Sequence, residues 1–281
     1  MKAESTAWDD TSLKTIGIIA GNGTLPVRFA REAKKNGCKV YAVCHYKETD
    51  PALEEFVDDL QWVKIGELNK LINFLKSKKV SQAVMLGGVN RIRLFGIKPD
   101  LRGLSLIYRT RSAKDDVLMR AIADELNGEG IEIISSVIFL QESLVEERLL
   151  TKSKVSESEM DDIEVGANAL KAIGSQDIGQ LVVVKDGVIV AVEAIEGTDR
   201  AILRGGELGG PGTVVVKFAK PTQDMRFDVP TIGVTTIENM IKVKARVLAL
   251  EAGRCILLDE DQVVKLANKH KIAIIGCPPL A

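Results

Sequence analysis

The chain has 281 residues, of which 46% are hydrophobic and 27% charged, and its net charge is −1. This length predicts two globular domains, and a net charge so close to zero excludes long-range attraction of nucleic acid. Four cysteines without CxxC spacing disfavour zinc knuckles and disulfide frameworks, and two histidines are too few for the usual zinc or binuclear metallophosphoesterase centre.

Predicted strands and helices alternate through the first half of the chain. Apolar runs predict strands at 15–20, 39–44, 62–65, 80–86 and 131–138. Helical spacing predicts helices at 25–36, 67–78 and 114–127. Such alternation indicates a parallel sheet with right-handed crossovers. We therefore expect an α/β protein whose N-terminal Rossmann-like parallel sheet domain spans residues 14–141.

The composition changes at 142–162, which is rich in Ser, Glu, Lys and Asp and is predicted to be a linker. It leads into a helix whose core is 164–173. Further strands are predicted at 181–184, 187–192, 213–216, 224–229, 255–258 and 272–275, with a hairpin turn at 185–187. Helices are predicted near 237–252 and 260–269. Residues 163–281 should therefore form a distinct C-terminal mixed α/β domain, which we expect to be catalytic.

A glycine turn, Gly21-Asn22-Gly23, joins the first predicted strand to the first helix. Such a turn exposes backbone N–H groups to a phosphate, although a plain tight turn would have the same sequence. Pro26 occupies the place of the third glycine in G-x-G-x-x-G, and no P-loop lysine follows. No acidic residue follows the second strand in the ribose-binding manner, which disfavours a nicotinamide enzyme.

Two further groups of residues follow later in this half. Asn90 and Arg91 come after Gly87-Gly88 at the end of a predicted strand, where they either contact a base, sugar or phosphate or form a solvated turn. Asp115 and Asp116 open a helix, where capping explains them as well as a metal or ribose role does.

Basic and bulky apolar residues are interleaved over 90–114. This pattern suits a segment that lies on anionic lipid or forms the lip of an acyl-chain groove. A solvated basic helix packed on its own sheet has the same pattern. No apolar run reaches the ~18 residues that a bilayer crossing requires, and no charged-then-apolar leader begins the chain.

Charged and apolar residues alternate strictly around Asp224, Arg226 and Asp228. Period two predicts a strand that presents these three side chains on one face, about 7 Å apart, and Pro230 should end it. Two carboxylates beside a cation suit a divalent metal and a phosphate. A surface strand with salt-bridged charges is the alternative.

Other carboxylates and cations lie at the ends of apolar strands. Glu193 falls inside an apolar run, where an unpaired charge is costly, so it needs a cation, a metal or a proton. Glu196 and Asp199 flank Gly197, and Thr198 or Asp199 could cap the next helix. Lys217 and Lys220 end another strand and could neutralise a diphosphate, or could simply reach out to water.

Five motifs together resemble the bacterial UDP-2,3-diacylglucosamine pyrophosphatases of the two-domain, non-metallophosphoesterase kind. They lie at 18–26, 114–116, 177–180, 191–199 and 220–233, and the resemblance covers roughly 15–277. It departs at Thr24, where the family often has a small residue, and at 113–116, where the family often has Lys-Gly-Asp-Asp and this chain has Ala-Lys-Asp-Asp. The resemblance implies hydrolysis of UDP-2,3-diacylglucosamine to the 1-phosphate lipid and UMP in lipid A synthesis, with lipid held between an N-terminal Rossmann-like domain and a C-terminal domain.

The resemblance and the charged residues around its motifs together lead to a hypothesis for the mechanism. The family's essential aspartate falls on Asp228, which would hold Mg²⁺ (with Mn²⁺ as a substitute) or orient the attacking water. Lys220 and Arg226 would stabilise phosphate charge. Further candidate metal ligands are Glu193, Glu196, Asp199 and Asp224. Expected substrate contacts are Gly21, Asn22, Gly23, Thr24, Leu25, Pro26, Gly88, Asn90, Arg91, Asp116, Gln180, Gly197, Thr198, Gln223 and Thr231.

The expected partners are the glycolipid-nucleotide substrate and an anionic membrane surface, with no nucleic acid; a homodimer is compatible with the sequence. The expected location is the cytoplasm, with peripheral contact to the inner membrane. Two other classes remain open. A non-enzymatic lipid or nucleotide carrier would suit the basic and apolar segment, and a nucleotide-dependent oxidoreductase would suit the glycine turn.

Overall fold

The computed structural model describes residues 14–88, 98–110, 115–176, 178–221, 223–227 and 229–279. The chain divides into two compact units, Met1–Phe139 and Leu140–Ala281. Each unit contains its own five-stranded sheet among the described residues. The predicted α/β class, with a parallel N-terminal sheet and a mixed C-terminal sheet, is confirmed.

The first unit is a parallel sheet with strand order β3-β2-β1-β4-β5. Its strands are β1 (Thr15–Ala20), β2 (Lys39–His45), β3 (Asp59–Val63), β4 (Gln82–Leu86) and β5 (Glu132–Ile133). Its helices are α1 (Leu25–Lys35), α2 (Leu68–Ser77), α3 (Leu101–Thr110) and α4 (Asp115–Gly128), with a 3₁₀ turn at Pro51–Phe56. Because all five strands are parallel, their carboxyl ends meet at one edge, where α/β proteins bind ligands.

The last strand of this unit is much shorter than predicted. The predicted strand at 131–138 is wrong beyond Ile133, and only Glu132 and Ile133 pair with β4. The reason lies in Ser135, whose Oγ accepts the N–H of Val137 at 3.3 Å while its carbonyl accepts that of Ile138 at 3.4 Å. Serine hydroxyls offer the backbone a local alternative to a sheet ladder.

The second unit is a mixed sheet with strand order β12-β10-β8-β6-β7. Its strands are β6 (Leu181–Lys185), β7 (Val188–Val192), β8 (Val214–Lys217), β10 (Val247–Glu251) and β12 (Ala273–Cys277), and β9 (Thr231–Ile232) pairs separately with β11 (Ile256–Leu257). Strands β8, β10 and β12 are parallel, and β6 is antiparallel to both β8 and β7. The carboxyl ends of β7, β8 and β10 therefore lie at the same edge.

Helices cover both faces of this second sheet. They are α5 (Glu157–Gly174), α6 (Thr198–Gly209), α7 (Val234–Lys242) and α8 (Glu260–Lys269). Alternate residues of one strand enter different cores: Val182 packs with Leu170 of α5, and Leu181 packs in the core of Ile202 and Met240. This alternation is the period of two expected for a strand buried on both sides.

Two predicted helices of this unit have different bounds. The helix predicted at 237–252 ends at Lys242, and Val247–Glu251 forms the strand between β8 and β12 instead. All five of its residues are buried, and such a continuous apolar run fits a helix or a central strand equally well. Helix α5 begins at Glu157, earlier than predicted, because Ser156 and Glu159 form a reciprocal capping box.

The four cysteines are all free and buried. Burial raises the pKa of the thiols of Cys44 and Cys255 to about 12 and that of Cys277 to about 11. Thiolate is the reactive form of cysteine, so these side chains are chemically inert at neutral pH.

The predicted hairpin between β6 and β7 is confirmed, and a buried carboxylate holds its turn. Asp186 and Gly187 both have positive φ, as a two-residue primed turn requires. Asp162 of α5, only 5% exposed, accepts the N–H of Gly187 at 2.6 Å and that of Asp186 at 3.1 Å. The hairpin lies at the sheet edge opposite the carboxyl ends of β8 and β10.

Replacing Asp162 by alanine should lower the free energy of unfolding by about 2 kcal/mol, because two backbone N–H groups of the turn lose a charged acceptor. Urea denaturation monitored by circular dichroism measures the change. The matched control is Asp161→Ala, one residue earlier on the exposed face of the same helix. Equal midpoints for the two variants would contradict this role of Asp162.

Candidate active site

Buried charged and polar side chains gather at the carboxyl-end edge of the second sheet. Glu193 follows β7, Lys217 ends β8 and Lys220 follows it, and Glu251 ends β10. All four are nine-tenths buried or more. Buried charges of both signs in one place require hydrogen-bonded partners, which makes this cluster the candidate site of the second unit.

Glu193 has the partner that its apolar surroundings demand. The Thr198 hydroxyl donates to Glu193 Oε1 at 2.9 Å, and Lys217 Nζ donates to the Thr198 oxygen at 2.8 Å. Lys217 Nζ also reaches the Thr231 carbonyl at 3.4 Å, and the Gln180 N–H reaches Glu193 Oε2 at 3.4 Å. The structure therefore brings together four predicted site residues around Lys217.

The start of α6 adds a positive end to this cluster. The helix begins at Thr198 after Gly197, whose φ of 84° favours glycine, and no side chain caps it. Uncapped N–H groups and the helix dipole attract anions. With the Lys217 ammonium at 2.8 Å from Thr198, the arrangement is chemically suited to hold a phosphate oxygen.

The predicted strand at 224–229 is wrong. Residues 225–227 form a turn in which the Phe227 N–H donates to the Asp224 carbonyl at 3.1 Å. The Asp224 carboxylate also accepts the Arg226 N–H at 3.1 Å and both Nε and Nη2 of its guanidinium at 2.9 and 2.8 Å. Aspartate stabilises turns in this way, while Phe227 and Val229 are still buried as the alternation predicted.

The carboxylates predicted to hold a metal have other contacts. Glu196 forms an ion pair with Arg204 at 2.5 Å. Although burial raises it, the pKa of Glu196 lies below its ordinary value because Arg204 and backbone N–H groups hydrogen-bond the carboxylate. Asp199 lies in the first turn of α6. Across the described ranges, no three acidic, histidine or cysteine side chains are grouped closely enough to hold a metal ion. Asp228 lies outside the described residues.

Lys220 and Gln223 are both buried, and each hydrogen-bonds to the other. The Lys220 N–H donates to Gln223 Oε1 at 3.3 Å, and the Gln223 N–H donates back to the Lys220 carbonyl at 2.9 Å. This pair connects one predicted catalytic residue to one predicted substrate contact.

In the first unit, the glycine turn after β1 contacts the turn after β4. The N–H of Gly21 donates to the Leu86 carbonyl and that of Asn22 to the Gly88 carbonyl, both at 2.7 Å. A Cβ on Gly21 would lie 2.2 Å from the Gly88 oxygen, so only glycine allows this approach. Of the other predicted contacts here, Thr24, Leu25 and Pro26 start α1 and Asp116 belongs to α4, whereas Asn90 and Arg91 lie outside the described residues.

The structure also reveals residues that the sequence analysis missed. Glu48, three residues after β2, accepts a hydrogen bond from Asn22 Nδ2 at 3.2 Å, so an acid does reach the glycine turn. Tyr46 stacks on Trp62 beside it, with ring centroids 5.5 Å apart. In the sequence, the signal for Glu48 was its position shortly after the second predicted strand. For Glu251 the signal was hidden, because its strand was predicted as helix.

The basic and apolar segment is described only at 98–110. Leu101, Leu104 and Tyr108 of α3 are exposed, at 85%, 54% and 77%. Arg102 pairs with Glu125 and Glu129, and Arg109 pairs with Glu125. No helix in the described part of the chain is both long and apolar enough to traverse a bilayer.

Comparison with known proteins connects both units to one family. The family model named LpxI N-terminal domain matches residues 15–143, and the one named LpxI C-terminal domain matches residues 146–275. The chain is 33% identical over 280 residues to the UDP-2,3-diacylglucosamine pyrophosphatase LpxI of Caulobacter vibrioides, covering 95% of this chain and 99% of that protein.

Likeness to solved structures is weak. A Rhizobium etli pyruvate carboxylase is 15% identical with a TM-score of 0.29, covering 55% of this chain and 13% of that one. The biotin carboxylase subunit of a pyruvate carboxylase is 14% identical with a TM-score of 0.29, covering 64% and 35%.

Proposed function

Since the chain belongs to the LpxI family, we propose that it hydrolyses the diphosphate bond of UDP-2,3-diacylglucosamine, releasing UMP and 2,3-diacylglucosamine 1-phosphate. The observation that carries the proposal is the near full-length match to a UDP-2,3-diacylglucosamine pyrophosphatase. The products place the chain in lipid A synthesis.

The buried cluster of the second unit supports this chemistry. Hydrolysis of a phosphoanhydride needs positive groups that neutralise the phosphate oxygens and the leaving phosphate. Lys217, the uncapped start of α6 and Lys220 supply such groups at one sheet edge. Because they are buried, they would act on a phosphate more strongly than they would in water.

Asp228 is our candidate for orienting the attacking water or for binding a metal, on the strength of the motif that contains it. Arg226 is a further candidate for contact with the leaving phosphate, once its guanidinium exchanges the Asp224 carboxylate for a phosphate oxygen.

We also propose that the reaction depends on Mg²⁺, with Mn²⁺ as a substitute. The described carboxylates do not form a complete protein cage for an ion. They are compatible with the way proteins commonly hold Mg²⁺, through one or two carboxylates and the phosphates of the substrate. Glu193, next to Thr198, and Asp228 are the candidates. The ion would neutralise charge on the phosphate oxygens.

We also propose that the glycine turn at 21–26 contacts the substrate. We further propose that the protein is a cytoplasmic homodimer that binds peripherally to the inner membrane. The exposed Leu101, Leu104 and Tyr108 of α3 support contact with lipid. Arg102 and Arg109 are paired with acidic residues, which reduces the positive charge that α3 can offer to an anionic membrane surface.

Purified protein incubated with UDP-2,3-diacylglucosamine and Mg²⁺ should release UMP, and EDTA should stop the release. Chromatography of the nucleotide products measures both results. A folded protein that binds the lipid and releases no UMP with either Mg²⁺ or Mn²⁺ would refute the hydrolase and favour the carrier.

A further inference from the structure

The buried Glu251 and the partly exposed Arg254 form an ion pair that holds the chain where it leaves β8. Glu251 is 1% exposed, less than any other charged side chain in the described ranges. Its Oε2 accepts the Ala219 N–H at 2.7 Å, and its Oε1 accepts Arg254 Nη1 at 3.1 Å. Arg254 Nη2 then donates to the Lys220 carbonyl at 3.2 Å. We propose that Glu251 and Arg254 are positioning residues that place Lys220 for the reaction.

The topology explains why this pair reaches those peptide groups. Strands β8 and β10 are parallel neighbours with Leu250 opposite Lys217, so Glu251 lies beside the residue at which β8 ends. The opposite side of the segment is also held. A Cβ on Gly174 would lie 2.8 Å from Pro221 Cδ and 3.4 Å from Lys220 Cα, so the end of α5 packs directly on this backbone.

Stability alone does not require a charged pair at this position. Well-packed apolar residues commonly stabilise a core as much as a buried ion pair does. A carboxylate and a guanidinium can instead bind one N–H and one C=O in fixed directions, which apolar side chains cannot do. The contacts therefore fit a role in geometry, and this inference rests on the proposed function, in which Lys220 neutralises phosphate charge.

Glu251→Ala should lower kcat for UMP release about 100-fold, because a small displacement of a group that acts in the reaction has an effect of this size. The change in KM should be much smaller. Glu251→Gln should recover part of this loss, because its amide oxygen can still accept the Ala219 N–H, whereas its NH2 group cannot accept Arg254 Nη1. Asp162→Ala is the matched control: it removes another buried carboxylate, which accepts two N–H groups at the opposite sheet edge. Its kcat should stay at the wild-type value.

A second readout does not depend on activity. Acetic anhydride should modify the buried Lys220 slowly in the wild type and about tenfold faster in Glu251→Ala, as followed by mass spectrometry of the digested protein. The modification rate of Lys185, at the other sheet edge, should not change. If Glu251→Ala does not fold, Arg254→Lys replaces it in both assays, because lysine cannot bridge the Glu251 carboxylate and the Lys220 carbonyl.

The two proposals fail in different ways. Unchanged labelling of Lys220 in a variant that has lost kcat would overturn the positioning role, and so would a Glu251→Gln enzyme as slow as Glu251→Ala. A slow Asp162→Ala enzyme would assign the loss to general destabilisation. A wild type that releases no UMP refutes the proposed function; faster labelling in Glu251→Ala would still show that Glu251 places Lys220.

Discussion

Asp228→Ala is expected to lower the rate of UMP release by about 10³-fold or more, the scale observed when one essential group is removed from an active site. Alanine has no carboxylate and can neither orient a water molecule nor bind a metal. The variant should fold normally, because only one side chain is shortened next to the buried Phe227. Initial rates at saturating substrate and Mg²⁺ measure the loss, and thermal unfolding checks the fold.

The control for this variant is Asp161→Ala, which removes an exposed aspartate from α5 and should leave the rate unchanged. Turnover near the wild-type value in folded Asp228→Ala would remove this residue from the mechanism. The search for the essential carboxylate would then turn to Glu193, whose carboxylate is already linked through Thr198 to a lysine.

Lys217→Met is expected to lower kcat by roughly 10² to 10³-fold, since it removes one buried positive group that would face the phosphate charge of the transition state. Methionine is long and unbranched, so it fills much of the space of the lysine stem. Thr198 can still donate to Glu193 in the variant, which limits the structural damage.

Steady-state kinetics and thermal unfolding measured together test this second prediction. The matched control is Lys185→Met, which removes a lysine from the opposite end of the same sheet, where it pairs with Asp186. A Lys217→Met enzyme with wild-type kcat and only a raised KM would show that Lys217 binds substrate without stabilising the transition state.

Local patterns were sufficient for much of the fold. The apolar run at 15–20 and the glycine turn after it predicted β1 and its exit, because a buried parallel strand needs nothing beyond hydrophobicity and length. The turn at 185–187 was equally local, since Asp-Gly is a favoured pair for the positive φ angles of a two-residue hairpin turn.

The errors arose where neighbours in space decide the structure. The sequence of residues 247–251 fits a helix or a strand. It forms a strand because it lies between β8 and β12 and hydrogen-bonds to both. At 224–229 the alternation was real, but the Asp224 carboxylate satisfies the Arg226 N–H locally and the chain turns. Local hydrogen bonding by aspartate competes with a sheet ladder.

For the site, too, local patterns predicted one part and spatial neighbours decided the other. The need of Glu193 for a partner could be predicted from one buried charge in an apolar run. The identity of that partner could not, because Thr198 and Lys217 reach it only after β7 and β8 are arranged in the sheet. The role of Glu251 was hidden for the same reason, since the Ala219 N–H that it accepts lies 32 positions away in the chain.

The inert thiols have a practical consequence for measuring motion. With all four native cysteines buried and three of them holding their protons far above neutral pH, a maleimide dye should react selectively with a cysteine introduced at the surface. With one such cysteine in each unit, a donor dye and an acceptor dye would report any movement that accompanies turnover through fluorescence energy transfer. None of the native cysteines would have to be removed.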